Sequence, residues 1–200
     1  MIDQPFRAWL ANKAQPLIKT YQALGLTPNH VTLMGCVFGF ASAGLVALGQ
    51  NWAALGIWWA GRLLDGTDGI YARATGRASD FGGYLDIVCD MAAYSVMILG
   101  FAWSRSEFMS WWLVILLLYV LCITSALALG SLERREGLRS EDNRSLRLAA
   151  GLAEGGETGI AYSLLLLFPS MTGFLCAVWV GVLTLTVAAR TLIARNELKK

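Results

Sequence analysis

Four aspartates, Asp65, Asp68, Asp86 and Asp90, stand at helical spacing within stretches that are otherwise apolar. Asp65 and Asp68 are three apart and Asp86 and Asp90 four apart, so each pair lies on one face of its own helix. The segment between the pairs, Ala74 to Phe81, is short. It makes the two helices antiparallel neighbours and aims four carboxylates into one cleft. An ionised aspartate at the centre of a membrane span costs about 2.5 to 3.5 kcal/mol on insertion scales, less near the ends, and mutual repulsion adds to that. Something cationic must offset it. Oxygen-only ligands select a hard cation, Mg2+, Mn2+ or Ca2+, over zinc. His30 is the only histidine, which excludes a His-based metal site or catalytic triad. Carboxylates shared between two hard cations suit phosphoryl chemistry, in which the ions clamp the attacking and leaving oxygens. Gly69 removes a side chain where a substrate would approach the helix backbone, and Arg73 is able to meet a phosphate by bidentate hydrogen bonds.

Three other readings of these acids stay open. Arg62 and Arg73 would neutralise them as buried ion pairs, though two arginines against four carboxylates leave an acid excess and give no reason for Gly69 or Gly82. A divalent-cation transporter would use them as an ion site, but transporters more often break helices at mid-membrane or repeat their halves. A non-catalytic membrane adaptor would retain them as a degenerate site.

The elements that must position the acids are membrane helices. Of the 200 residues 56% are hydrophobic and only 15% charged, against about 25% charged in soluble domains. Spans need about 17 to 25 residues. Six are laid down: Val31 to Leu48, Trp52 to Ala72, Gly83 to Trp103, Met109 to Leu129, Ile160 to Phe168 with its preceding turn, and Met171 to Ile193. The fifth has the shortest apolar core. Residues 1–27 alternate apolar and polar positions at helical spacing and predict an amphipathic helix in the membrane interface, ended by Gly25. Thr27-Pro28-Asn29 then opens the next helix with a capping residue beside a proline. Asp3, Arg7 and Lys13 interrupt the first residues, so no cleavable signal peptide is expected. The whole chain, 1–200, reads as one all-α domain, an interfacial helix over 1–27 and a six-span bundle over 28–193.

Charge gives the orientation. With an even number of spans both termini and the segments 73–81 and 133–147 share one side, which collects nearly all Lys and Arg, while only Arg105 lies opposite. By the positive-inside rule that side is cytoplasmic, and the aspartates lie near it. A basic rim also attracts anionic headgroups and phosphate-bearing substrates. Cys36, Cys89, Cys122 and Cys176 all fall inside spans without metal-type spacing and read as small apolar residues. Gly35 and Gly39 permit close helix contact, within one subunit or between two.

The pattern D-x-x-D-G-x-x-A-R, eight residues, G-x-x-x-D-x-x-x-D resembles, without gap or substitution, the signature of the CDP-alcohol phosphatidyltransferase family. The resemblance extends to the interfacial N-terminal helix, Pro28-Asn29-x-x-Thr32 at the start of span one, and six spans in about 200 residues. It implies a membrane enzyme of phospholipid biosynthesis. Such an enzyme moves a substituted phosphate from a CDP-linked donor, commonly CDP-diacylglycerol, to an alcohol with release of CMP. It also implies two Mg2+ or Mn2+ ions, a homodimer and no nucleic-acid partner. On the matching positions, Asp65, Asp68 and Asp86 would bind metal, and Asp90 would join the second site and act as general base. Asn29, Thr32, Gly69, Arg73 and Ser79 would contact the donor.

The acceptor region departs from the branches that use phosphorylated acceptors. Glu154 and Glu157 stand where those branches carry arginines, which leaves Arg147 or Arg190 as phosphate contacts. Glu154 and Glu157 read equally as the acidic start of a helix, favoured at its positive dipole end, or as ligands of an uncharged polyol or amine-bearing acceptor. The segment around them is similar to a poorly characterised bacterial inner-membrane subgroup of the family.

Overall fold

The computed structural model describes residues 14–135 and 155–197. Among these residues all regular structure is helical: α1 (Gln15–Ala23), α2 (Pro28–Ala47), α3 (Asn51–Ala74), α4 (Asp80–Ser104), α5 (Met109–Arg135), α6 (Gly155–Leu167) and α7 (Thr172–Glu197), with single 3-10 turns at Ser106–Phe108 and Pro169–Met171. The segments Pro28–Ala47, Asp80–Ser104, Ser106–Leu132 and Pro169–Asn196, which are α2 and α4 and most of α5 and α7 with the turns before them, are long and apolar enough to cross a membrane. Their outward side chains, among them Val37, Phe40, Leu113, Leu117, Phe174 and Leu185, form the exposed apolar surface expected of lipid-facing helices. Two expected spans look different. The 24-residue α3 carries Arg62, Asp65, Asp68 and Arg73 and is correspondingly more polar. The 13 residues of α6 extend about 20 Å at 1.5 Å each, short of a hydrocarbon core of about 30 Å.

The helix ends follow the local sequence. Gly25 adopts φ 65° and ends α1, as expected. Thr27 caps α2 through a reciprocal pair: its Oγ1 accepts from the His30 N–H, and His30 Nδ1 accepts from the Thr27 N–H at 3.2 Å. The lone histidine is thus part of a helix cap. Of the amphipathic helix expected over 1–27, residues 1–13 lie outside the described part. Within α1, Ile18 and Tyr21 are buried against Val31 and Tyr71, while Lys19 and Gln22 face outward.

Packing sets α2 against both acid-bearing helices. The expected antiparallel pair, joined at one end by the short connection Thr75–Ser79, does meet through side chains, Arg62 of α3 bonding Asp90 of α4 at 2.5 Å and the Trp58 and Tyr94 rings lying 6.1 Å apart, while the backbones of both helices pack mainly on α2. Small residues allow this close packing. A Cβ at Gly35 would lie 3.2 Å from the Gly61 carbonyl oxygen of α3, and one at Gly39 would lie 2.7 Å from Ala93 Cβ of α4. Gly35 and Gly39 therefore serve contacts within the subunit.

A second layer pairs α5 with α7, and α6 lies between α3 and α7. Buried aromatic groups knit the layers together. Tyr162 of α6 donates to the Tyr94 carbonyl at 2.8 Å, its hydroxyl meets that of Tyr119 at 2.8 Å, and Trp179 Nε1 donates to Tyr119 at 3.0 Å. At the far end from the aspartates, Arg105 is buried. It donates to the Leu165 carbonyl and to Thr172 Oγ1, both at 2.9 Å, tying the end of α4 to α6 and α7.

Candidate active site

Asp68 lies six residues before the end of α3 and Asp86 six residues after the start of α4, which puts both about 9 Å inside their helix ends. Across the seam, Asp65, Asp68 and Asp86 each place a carboxylate oxygen within 4.8 Å of the other two. A hard divalent cation holds its oxygen ligands at about 2.0 to 2.6 Å. Three carboxylates gathered that closely, with no nitrogen or sulfur ligand among them, therefore fit one such ion.

Asp68 is the most constrained of the three. It is buried, its Oδ2 accepts a 2.5 Å hydrogen bond from Thr32 Oγ1 of α2, and its Oδ1 accepts one of 2.5 Å from the Gly69 N–H. The Thr32 bond requires α2 to stand beside α3, so the packing of α2 on α3 orients this carboxylate directly. Behind it, buried Thr67 donates to the Leu63 and Leu64 carbonyls at 2.9 Å and meets the Tyr21 hydroxyl at 3.0 Å. Tyr71 donates to the Leu26 carbonyl at 2.8 Å, and its ring lies 5.5 Å from that of Tyr21. In this way α1 braces the acidic end of α3, a contact for which spacing along the chain carries no signal.

Asp90 is held differently. One turn beyond Asp86, it stands outside the group of three and accepts a 2.5 Å charge-assisted hydrogen bond from Arg62 Nη1. The same nitrogen lies 3.3 Å from Asp65 Oδ2 and 3.2 Å from the Tyr94 hydroxyl. The guanidinium rests 4.9 Å from the Trp58 ring centroid and 5.2 Å from that of Tyr94. Arg62 thus does neutralise part of the acid cluster, as one sequence reading held, but it reaches only two of the four carboxylates by ion pairing. Its neighbours Trp58 and Tyr94 were not singled out by the sequence; the i, i+4 placement of Trp58 before Arg62 is the signal that was there.

The residues expected around the donor fall at the same end of the molecule. Asn29 Oδ1 and Ser79 Oγ each lie 3.3 Å from where a Cβ at Gly82 would stand, so Gly82 lets the starts of α2 and α4 approach closely. Ser79 also caps α4, accepting from the Gly82 N–H at 3.0 Å. The exposed Arg73 folds its guanidinium back over Gly69, 3.4 Å from where a Cβ would be.

The acceptor candidates separate. Half-buried Glu157 lies in the first turn of α6, two residues after Gly155, whose missing Cβ would sit 3.0 Å from the Tyr94 hydroxyl. The start of α6 therefore abuts the Arg62 and Asp90 end of the cluster. Arg190 is buried in the seam of α5 and α7, donating to the Cys122 carbonyl at 2.7 Å. Arg147 and Glu154 lie outside the described residues.

Fold and site define a helical membrane protein with three carboxylates gathered at one end of the bundle, close enough that they could hold a hard divalent cation. Residues 25–184 match the family model for CDP-alcohol phosphatidyltransferase, and the chain belongs to that family, enzymes that transfer a phosphatidyl group from a CDP-linked donor to an alcohol. It is 30% identical to the inner membrane protein YnjF of Escherichia coli, over 92% of this chain and 97% of that one. It is 40% identical to the archaetidylinositol phosphate synthase of Pyrococcus horikoshii over 85 residues, 42% of this chain and 45% of that protein, so this match spans less than half of the relative. The fold is similar to that of the Mycobacterium tuberculosis phosphatidylinositol phosphate synthase solved with CDP-DAG bound, with a TM-score of 0.67 at 21% identity over 90% of this chain and 92% of that one. The same protein has been solved in complex with manganese and citrate.

Proposed function

We propose that this chain transfers the phosphatidyl group of CDP-diacylglycerol to an alcohol and releases CMP. The observation that carries the reading is the approach of Asp65, Asp68 and Asp86 to within 4.8 Å, with Asp68 locked by Thr32 and Gly69. These three would hold one Mg2+ or Mn2+, and Asp90 would help to hold a second. When bound, the ions supply positive charge against the donor diphosphate and the departing CMP.

The chain's own groups do the rest. Arg73, lying over Gly69 at the open end of α3, would grip the donor nucleotide together with Asn29, Thr32 and Ser79. Asp90 would take the proton of the acceptor hydroxyl as its oxygen bonds to phosphorus. The start of α6, with Glu157 beside the Asp90 end, would form the acceptor side, joined by Glu154 and supplemented by Arg147 or Arg190. Acyl chains would stay in the bilayer while the CMP moiety enters from the water.

The chain is read as a single domain of six spans, with α3 and α6 as the second and fifth and the N-terminal helix lying in the interface. The distribution of Lys and Arg supports a cytoplasmic site and cytoplasmic termini in a bacterial inner membrane. The family resemblance supports a homodimer.

The test uses purified protein in nanodiscs with CDP-diacylglycerol, Mg2+ and a panel of polyol, amino-alcohol and sugar-phosphate acceptors, reading CMP release and the lipid product by mass spectrometry. CMP release should require an acceptor, vanish with chelator and return with Mn2+. Asp90→Asn should lower turnover by about a thousandfold, within the range of a lost general base, while leaving a folded protein. Metal flux without CMP would mark a transporter instead.

A further inference from the structure

Arg62 is an unusual partner for a metal site. Its side chain is 8% exposed, and its Nη1 spans Asp65 and Asp90, which lie on different helices. The rings of Trp58 and Tyr94 hold the guanidinium in place independently of the acids. Its Nε is buried and has no hydrogen-bond partner among the described residues. By contrast, Arg105, buried at the far end of the bundle, uses its guanidinium to tie two elements through a carbonyl and a hydroxyl. Arg62 ties acids, and one of its donors goes unused. Its charge therefore accounts for its placement better than its packing does.

That charge changes the electrostatic balance. The four carboxylates carry four negative charges, Arg62 offsets one, and a divalent ion at Asp65, Asp68 and Asp86 offsets two more, leaving a single negative charge. A second divalent ion would turn the cluster net positive in a poorly screened interior and would have to displace Arg62 from Asp90. A bound diphosphate, with two negative charges, restores the balance. Without Arg62, two ions would neutralise the four acids with no diphosphate present.

We propose that Arg62 is a built-in cation that limits the enzyme to one tightly bound divalent ion until the diphosphate of the donor arrives with the second. This rests on the assignment of the aspartates as metal ligands. Mn2+ titrations followed by electron paramagnetic resonance, on the full chain in nanodiscs, test it. Wild type should bind one Mn2+ per chain without donor and two with CDP-diacylglycerol present. Arg62→Leu should bind two without donor, its second site at least tenfold tighter than in wild type. Arg62→Lys, which keeps the charge, should behave like wild type.

Two equally tight ions in wild type without donor, or a single ion even with donor, would overturn the proposal whether or not the Leu variant folds. A folded Arg62→Leu protein that still binds one ion would do the same. Absence of any tight ion in wild type would remove the metal assignment as well, whereas donor-dependent CMP release with two equivalent ions would remove only the role of Arg62.

Discussion

At the scale of single residues, Thr32 shows how a side chain can act through another. Its place in Pro28-Asn29-x-x-Thr32 points toward the donor, and its hydroxyl also donates to Asp68 Oδ2 at 2.5 Å, with the Pro28 carbonyl 3.2 Å away. A hydrogen bond to a charged group contributes about 1.5 to 3 kcal/mol. Thr32→Val, nearly the same shape, should therefore weaken Mn2+ binding and transfer by roughly ten- to a hundredfold with little change in thermal unfolding. Unchanged Mn2+ affinity in a direct titration would show that Asp68 is oriented without it. Asp68 itself, and the identity of all four acids, could be read from helical spacing. The division of labour among them could not, because it depends on Arg62 and Thr32 reaching across from other turns and other helices.

At the scale of elements, the close seam between α2 and α4 decides where the acids meet. A Cβ at Gly100 would stand 2.5 Å from the Ala43 carbonyl oxygen, and the backbone there has no flexible side chain that could yield. Gly100→Ala should destabilise the fold by about 1 to 3 kcal/mol, the usual cost of overpacking. Gly44→Ala, where nothing lies within 4 Å, should be neutral. Both are measured by thermal unfolding in detergent, and equal stability of the two variants would mean that the seam opens freely. Helix starts and stops were legible in advance at Gly25 and Thr27, since caps are local. That α2 would carry most of the packing of both α3 and α4 was not, because the short Thr75–Ser79 connection implies that the two pack mainly on each other.

In the molecule as a whole, among the described residues, the four aspartates with Arg73 and Arg77 lie toward one end of the bundle and Arg105 is buried at the other. If that first end is cytoplasmic, a membrane-impermeant maleimide should label Arg77→Cys only from the cytoplasmic side and Gln50→Cys only from the opposite side, in a background without the four native cysteines. Both positions are exposed. The reverse pattern would invert the orientation and the side from which CMP leaves. By itself the sequence determined the membrane class, the acidic signature, the family and the helix caps, because composition and helical periodicity act over a few residues. Only the tertiary structure decided that Asp65, Asp68 and Asp86 converge while Asp90 is claimed by Arg62, and that α1 braces α3 through Tyr21 and Thr67. Those relations are set by which helices pack together, and α2 packs closely on both α3 and α4 because Gly35, Gly39, Gly61 and Ala93 leave the room.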